Sequence, residues 1–390
     1  MENMGKRNSG LIIFLLTFML ISSGCVTVTK ESATQHTPST TTSPNLISTS
    51  SQPATWSNPF VTWKGEKIKL PSQDAHLNCP GILWRYLLKD ALTCMLGKEE
   101  LSVIAPIAKE LKGNSTAQSA WNILEWEGEW LSYDWEKARQ PPARVVIYPN
   151  GTENVVEGMN NTIQTPYETI MKRTGVCTDY TVLTDALLLA MNYSPVYAVE
   201  INFTSPPNHA AAAIKINGWF FVLDQHLPPM DLGAYYRYWE AQRKIISNAT
   251  FYEIVQRSGE ANVKVLGVFP GMDLLKQDYT MTSTEAENLA LAMMNLLYEK
   301  FGIMADERLE GMENGTLPSG YRAGWSWGMK YYNMADYYHP FFRNQYARWF
   351  LSEMAKNSEF ISYLHKSKAV WVDVKVEGDD LAVTIYLGSS

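Results

Sequence analysis

Asn217-Gly218 lies between two runs of apolar residues, and this dipeptide most tightly constrains the fold of the chain. Asn-Gly is the strongest short hairpin signal and favours a two-residue turn. The spacing predicts a strand over 209–216, a second over 219–224, and a preceding strand over 195–203. With that turn Ile216 faces Trp219, and the pairing runs outward until Ala211 faces Asp224 and His209 faces His226. Side chains alternate faces along a strand. His209, Ala211, Asp224 and His226 therefore share one face. His209 and Asp224 become diagonal neighbours, about 7–8 Å apart at the backbone and within side-chain reach.

A carboxylate there can bond an imidazole, fix its tautomer and stabilise the imidazolium. The alternative is a structural His–Asp pair at a strand end. His226 is a competing base if the hairpin slips or Asp224 turns outward. The small residues Ala210 to Ala213 leave room for a helix to approach the sheet closely.

That helix is signalled upstream. Thr174-Gly175-Val176-Cys177-Thr178-Asp179-Tyr180 places a cysteine after a glycine turn and before a long apolar pattern, with Val182, Leu183, Ala186, Leu187 and Ala190 spaced for burial. A thiol at a helix start feels the positive end of the macrodipole. With a nearby imidazolium its pKa can fall from about 8.5 to between roughly 3.5 and 7.5. Gly175 is expected to supply an unusual backbone angle, and the charge of Asp179 to oppose part of the dipole's help. Cysteine, histidine and aspartate in this order are the parts of a thiol acyl-transfer site. The bland reading is that Cys177 is an inert core thiol.

Gly175-Val176-Cys177-Thr178-Asp179, then His209-Ala210-Ala211, then Gly218-Trp219 through Asp224, resembles the transglutaminase-like superfamily, whose fold is similar to that of papain-type cysteine proteases. The blocks Thr184 to Pro195 and Leu223-Asp224-Gln225-His226-Leu227-Pro228-Pro229 resemble more closely an archaeal family of membrane-anchored transglutaminase-like proteins. The resemblance covers roughly 119–240, with Ser119 to Arg139 as the helix before the core. It implies Cys177 as nucleophile, His209 as general base and acid, and Asp224 as orienter. Many members carry an aromatic residue soon after the histidine, where this chain has alanines. Transglutaminases, peptidases and deglycosylating amidases all belong to the superfamily, so the resemblance does not choose a substrate.

Lys6 and Arg7 precede the uncharged apolar stretch Gly10 to Val28, and its centre, Leu11 to Ile21, has the length of a signal-peptide core. Ser22-Ser23-Gly24-Cys25 resembles a lipoprotein processing site in which Cys25 carries lipid, although Ser22 stands where an aliphatic residue is usual. An uncleaved anchor is the alternative, because about 19 apolar or small residues can just span a bilayer. Both readings place the globular part on the extracellular side of the cell membrane. Lys30 to about Pro59, rich in Ser, Thr and Pro, reads as an extended stalk. Sequons at Asn114, Asn150, Asn160, Asn192, Asn202, Asn248 and Asn314 fit an exported glycoprotein.

Four cysteines are present. Outside the cell Cys79 and Cys94 would favour a disulfide. However, Ile82 to Leu96 reads as one helix, which would hold its ends about 20 Å apart, and a bridge needs alpha carbons within roughly 7 Å. The helix must break, near Asp90, or the bridge does not form.

The 390 residues, 46% hydrophobic, are enough for one enlarged or two ordinary domains. The expected division is a leader or anchor over 1–28, a stalk over 29–59, a transglutaminase-like core over 60–275, and a helical and hairpin region over 276–390 that could belong to the same globular unit. The net charge of −7 argues against a nucleic-acid partner. No phosphate loop or zinc-spaced Cys/His set appears, so no cofactor and no metal are expected.

Lys98 to Lys112 reads as a helix interrupted by Pro106, and 143–148 and 262–269 as short strands. Thr284 to Phe301 reads as a helix with a Thr284/Glu287 capping box. The aromatics of Tyr321 to Phe350 are expected to form a layer packed on the catalytic sheet, with a glycan or peptide groove as the alternative. Alternating Val372, Val374, Val376 and Leu381, Val383, Ile385 read as a closing hairpin.

The expected whole is an α+β protein with a papain-like, transglutaminase-like core, extra helices and a C-terminal hairpin. Its expected role is a membrane-tethered thiol enzyme acting on amide or peptide carbonyls. The alternative is a non-catalytic module that binds envelope protein, peptide or glycan.

Overall fold

The computed structural model describes residues 31–32, 54–148 and 151–389. The leader, Cys25, nearly all of the stalk and Asn150 lie outside the described residues. The chain divides after Asp278 into two compact units.

The first unit begins where a stalk was expected. Trp56 donates its N–H to the Ser72 carbonyl, Thr55 bridges Gln73, and the Trp56 ring packs edge-on against Tyr167 at 5.3 Å. Ala54–Pro59 thus belongs to the folded unit, because Trp56 finds an aromatic partner that Ser/Thr/Pro composition did not reveal.

The expected helix over 82–96 breaks into a 3-10 turn, Leu83–Arg85, and α1 (Leu88–Met95), with Leu87 in extended conformation between them. The break falls before Asp90. It brings the alpha carbons of Cys79 and Cys94 to 5.8 Å, and the two residues form a disulfide. Helix α2 (Lys98–Leu111) runs through Pro106 without interruption. Proline costs a helix interior about 3 kcal/mol, and the fully buried stripe Ile104, Ile107, Ala108 and Leu111 offsets that loss.

Helix α3 (Thr116–Trp130) is capped by the Ser115 side chain, which accepts from Gln118 N–H. It stops short of the expected Arg139: Ser132–Tyr133 leaves the helix to pair in parallel with Thr174–Gly175. Helix α4 (Pro166–Lys172) opens with a complete capping box from Thr165 and Glu168. Helix α5 (Cys177–Ala190) is buried on every side from Cys177 to Leu189, rather than along one stripe. A helix apolar all round belongs in a core, and α5 packs against α2, α3, α4 and the sheet.

That sheet has six strands: β1 (Val196–Phe203), β2 (His209–Ile216), β3 (Trp219–Leu223), β4 (Met230–Asp231), β5 (Ile246–Arg257) and β6 (Glu260–Pro270). Their order is β4-β3-β2-β1-β5-β6, with every pair antiparallel. Asn217 and Gly218 both take positive φ, 48° and 93°, as a type I′ turn requires. Ile216 pairs with Trp219 and the ladder runs to Ala212–Leu223. Helix α6 (Leu232–Ala241) follows β4 and is capped by Asp231, whose carboxylate accepts from Ala234 N–H at 2.9 Å.

In the second unit, α7 (Ser283–Phe301) is capped by Thr282 through the Glu285 N–H, two residues earlier than the expected Thr284/Glu287 box. The Glu285 side chain turns to Arg343 instead, at 2.7 and 3.0 Å. Strand β7 (Ala323–Tyr331) joins β8 (Ala369–Glu377) and β9 (Asp380–Ser389) in a sheet of its own. Helix α8 (Arg343–Ala355) packs on α7, and α9 (Ser358–Lys366) follows it. The aromatic-rich segment contributes a strand and ring contacts to this second unit. Trp325 stacks on Tyr363 at 5.0 Å, and Tyr331 packs on Phe350 at 4.3 Å, within the second unit. Among the described residues no helix is long and apolar enough to cross a membrane.

Candidate functional site

Cys177 is the first residue of α5, buried at the head of the helix. Three devices hold that head. Ser132–Tyr133 pairs with Thr174–Gly175, and Asp134 N–H donates to the Gly175 carbonyl at 2.9 Å. The fully buried Asp179 carboxylate accepts from Val176 N–H at 2.8 Å, Gln164 N–H at 2.8 Å, Gln164 Nε2 at 3.0 Å and Lys137 Nζ at 2.6 Å. The third is Gly175, where a Cβ would lie 2.9 Å from the Cβ of Asp179. Gly175 has no positive φ, so it serves close approach and not the unusual angle expected of it. The Lys137 ion pair also changes the expected role of Asp179: its charge is compensated on the spot and does not stand unopposed against the helix dipole.

In this structure the Cys177 sulfur is disulfide-bonded. Any attack by this sulfur requires its reduced form.

His209 opens β2, the strand against which α5 packs. Its Nε2 meets both oxygens of the Asp224 carboxylate, at 2.8 and 3.0 Å. Asp224 lies one residue past the end of β3. Gln225 takes φ of 63° and turns the chain there, so the ladder does not continue to set His209 against His226. His226 is exposed, and Asp224 turns inward to His209.

Two residues of α6 complete the pair, and sequence reasoning missed both. The buried Tyr235 donates its hydroxyl to Asp224 at 2.7 Å. Trp239 packs edge-on against the His209 ring at 5.0 Å. Their spacing of four residues puts them on one helix face, and Asp231 is a readable N-cap. The turn that aims this face at Asp224 contains a cis Leu227–Pro228 bond, which the sequence does not declare. Burial works against ionisation of Asp224, but His209 and the hydrogen bonds from His209 and Tyr235 outweigh it and hold the carboxyl below its usual range.

Behind the pair lie two buried carboxyls that were also missed. Glu127 on α3 accepts from Thr184 Oγ1 at 2.7 Å. Its burial, opposed by the Thr184 bond and reinforced by the charge of Asp224, pushes its pKa up to about 8. Asp185 on α5 is wholly buried, and neither of its oxygens has a hydrogen-bond partner among the described residues. Burial, with Glu127 adding to it, raises that carboxyl well above its ordinary value.

Among the described residues no cluster of three His, Cys, Asp or Glu side chains could hold a metal ion. Two of the sequon asparagines are tied into an amide ladder: Asn202 Nδ2 donates to Asn248 Oδ1 at 2.9 Å, and Asn208 Nδ2 donates to Asn202 Oδ1 at 2.7 Å.

The buried Cys177 at the helix head and the His209–Asp224 pair on the strand beside it sit within residues 102–252, which match a family model described as a transglutaminase-like domain. A UPF0252 protein of Archaeoglobus fulgidus is 37% identical over 306 residues, covering 78% of this chain and 90% of that protein. This chain belongs to the UPF0252 family. A UPF0252 protein of Pyrococcus horikoshii is 31% identical over 77% of this chain and 89% of its own length. One from Pyrococcus furiosus is 28% identical over 77% of this chain and 84% of its own. No solved structure matches. For a UPF0252 protein the transglutaminase-like region thus coincides with α2 through most of β5 and contains all three residues singled out for acyl chemistry.

Proposed function

We propose that this UPF0252 protein is an exported, membrane-tethered thiol enzyme that acts on amide or peptide carbonyls through an acyl-thioester on Cys177, on a papain-like arrangement of nucleophile helix and antiparallel sheet. The observation that carries the reading is the two-point bond between His209 Nε2 and Asp224, made on the strand that packs against the Cys177 helix. With Nε2 given to the carboxylate, Nδ1 is the nitrogen that takes the thiol proton. Asp224, ionised and held by Tyr235, stabilises the imidazolium that results.

The thiolate then attacks the carbonyl carbon and forms a C–S bond. The carbonyl oxygen gains charge, and the Cys177 backbone N–H at the first helical position is the donor proposed for it. Collapse of this intermediate breaks the C–N bond, and the imidazolium gives its proton to the leaving amine. Water or a second amine next attacks the thioester, loses its proton to His209 and frees the thiol. The apolar stretch Gly10 to Val28 and the segment rich in Ser, Thr and Pro support export and tethering. A Cys79–Cys94 disulfide suits an oxidising compartment.

Expression of the full chain, followed by membrane fractionation and assay on a panel of amides and peptides under mild reduction, tests the reading. Hydrolysis or amine transfer is expected in the membrane fraction and is expected to fall by 10³-fold or more, in order of magnitude, in Cys177→Ala. A folded, membrane-bound protein with no thiol-dependent turnover would leave the second reading, a binding module on the same fold. The burial of both Cys177 and His209 is the observation that favours it.

A further inference from the structure

Lys244 stands two residues beyond the C-cap of α6 and donates its backbone N–H back to the Trp239 carbonyl at 3.0 Å. Its side chain folds over two aromatic rings: Nζ lies 5.0 Å from the centre of Phe203 and 5.4 Å from that of Trp239. Those rings pack edge-on against each other at 4.9 Å, and Trp239 is the same ring that packs on His209 at 5.0 Å. The ammonium is therefore no more than about 10 Å from the imidazole, with the Trp239 ring in contact with both. The Nζ atom is buried and has no hydrogen-bond partner among the described residues.

An ammonium cut off from water normally has a carboxylate or carbonyl to compensate it. Here the faces of Phe203 and Trp239 lie against it. Burial lowers its pKa, with no neighbouring charge contributing. Facing aromatics attract a cation but leave its three protons without acceptors. A fixed, uncompensated positive charge next to a reacting centre attracts an incoming anion and strengthens as water is excluded.

We propose that Lys244 is the charge-selecting residue of this site and that it takes a carboxylate carried by the acyl substrate, so that the substrate class is an acidic amide or peptide. This proposal rests on the acyl chemistry assigned to Cys177. Phe203 and Trp239 hold the ammonium in place, and Trp239 couples its position to that of His209.

Alkylation of reduced Cys177 separates the two claims without a known substrate. Iodoacetate carries the charge and iodoacetamide does not, and both give iodide and an S-alkyl cysteine that mass spectrometry assigns to Cys177. The ratio of the iodoacetate rate to the iodoacetamide rate is expected to fall about fivefold in Lys244→Gln, the size of effect a single charge exerts across such a distance. Lys244→Arg, which keeps the charge, is expected to restore most of it. An unchanged ratio in a variant with the parent's melting temperature would overturn the assignment to Lys244. If Cys177 reacts with neither reagent, the acyl chemistry itself fails.

A second pair of probes names the source of the carboxylate. Chloroacetyl-glycine presents a chain-terminal carboxylate, and chloroacetyl-aspartate amide presents a side-chain one. A Lys244-dependent preference for either supports the proposal and identifies which. Rates for both that ignore the substitution refute it.

Discussion

Replacing Asp179 with alanine is expected to destabilise the first unit by about 3–5 kcal/mol, the usual cost of removing one partner of a buried ion pair. The size follows from what the substitution strands. The carboxylate receives four donors: one ammonium, two backbone N–H groups and one side-chain amide, all within 3.0 Å. Lys137 is left as a buried cation without its partner, and the N–H groups of Val176 and Gln164 lose their acceptor where water does not reach. Denaturant unfolding of parent and variant measures the loss. Asp179→Asn is expected to lose less, because its amide oxygen keeps one acceptor for the backbone. A midpoint unchanged in the alanine variant would mean that this network does not hold the loop that presents Cys177.

Glu127→Gln is expected to remove a large part of the pH dependence of stability between pH 5 and 8. The Glu127 carboxyl titrates near 8 in the folded chain and near 4.5 when exposed. As pH rises through the lower value, the unfolded chain loses this proton while the folded chain keeps it. The unfolded state then binds fewer protons, so stability falls with rising pH and levels off above about 8. Across the full window this amounts to about 3–5 kcal/mol for one group. Asp185 acts in the same direction. Asp224, whose carboxyl is held low, acts in the opposite direction and only at acid pH. Glutamine keeps an oxygen for Thr184 and has no proton to lose. Thermal unfolding at pH 5, 6.5 and 8 is expected to show a parent that weakens toward pH 8 and a variant that weakens much less. Parallel curves for the two proteins would contradict the assignment.

The central hairpin was legible because Asn217-Gly218 fixes its own turn length and period two does the rest. Counting back from that turn puts His209 and Asp224 on one face. The count failed two residues later, at His226, because Gln225 enters left-handed conformation and no alternation rule anticipates that. Strand β5 was missed: its polar residues Asn248 and Glu253 and a register shift between Ile246 and Asn248 break the alternation a strand should show. Pro106 was read as an interruption because propensity is local, whereas the burial that overrides it comes from distant elements. The ring contacts made by the aromatics after Tyr321 inside the second unit were not legible, since composition says that rings will be buried but not against what. Glu127 and Asp185 left no sequence signal, as charged residues on helices are ordinarily solvated. Asp185 is buried because α5 is enclosed on all sides, and Glu127 because its face of α3 packs on α5 at Thr184.

The pH dependence of Cys177 alkylation by iodoacetamide, in reduced parent protein and in His209→Ala, tests the central claim most directly. A thiolate stabilised by the His209 imidazolium is expected to keep reacting down to about pH 6 in the parent. In the variant the midpoint is expected to move up by one unit or more toward the ordinary thiol value near 8.5. Alkylation that follows one ordinary thiol titration in both proteins, or a Cys177 that neither protein exposes to the reagent while it remains folded, would contradict the account.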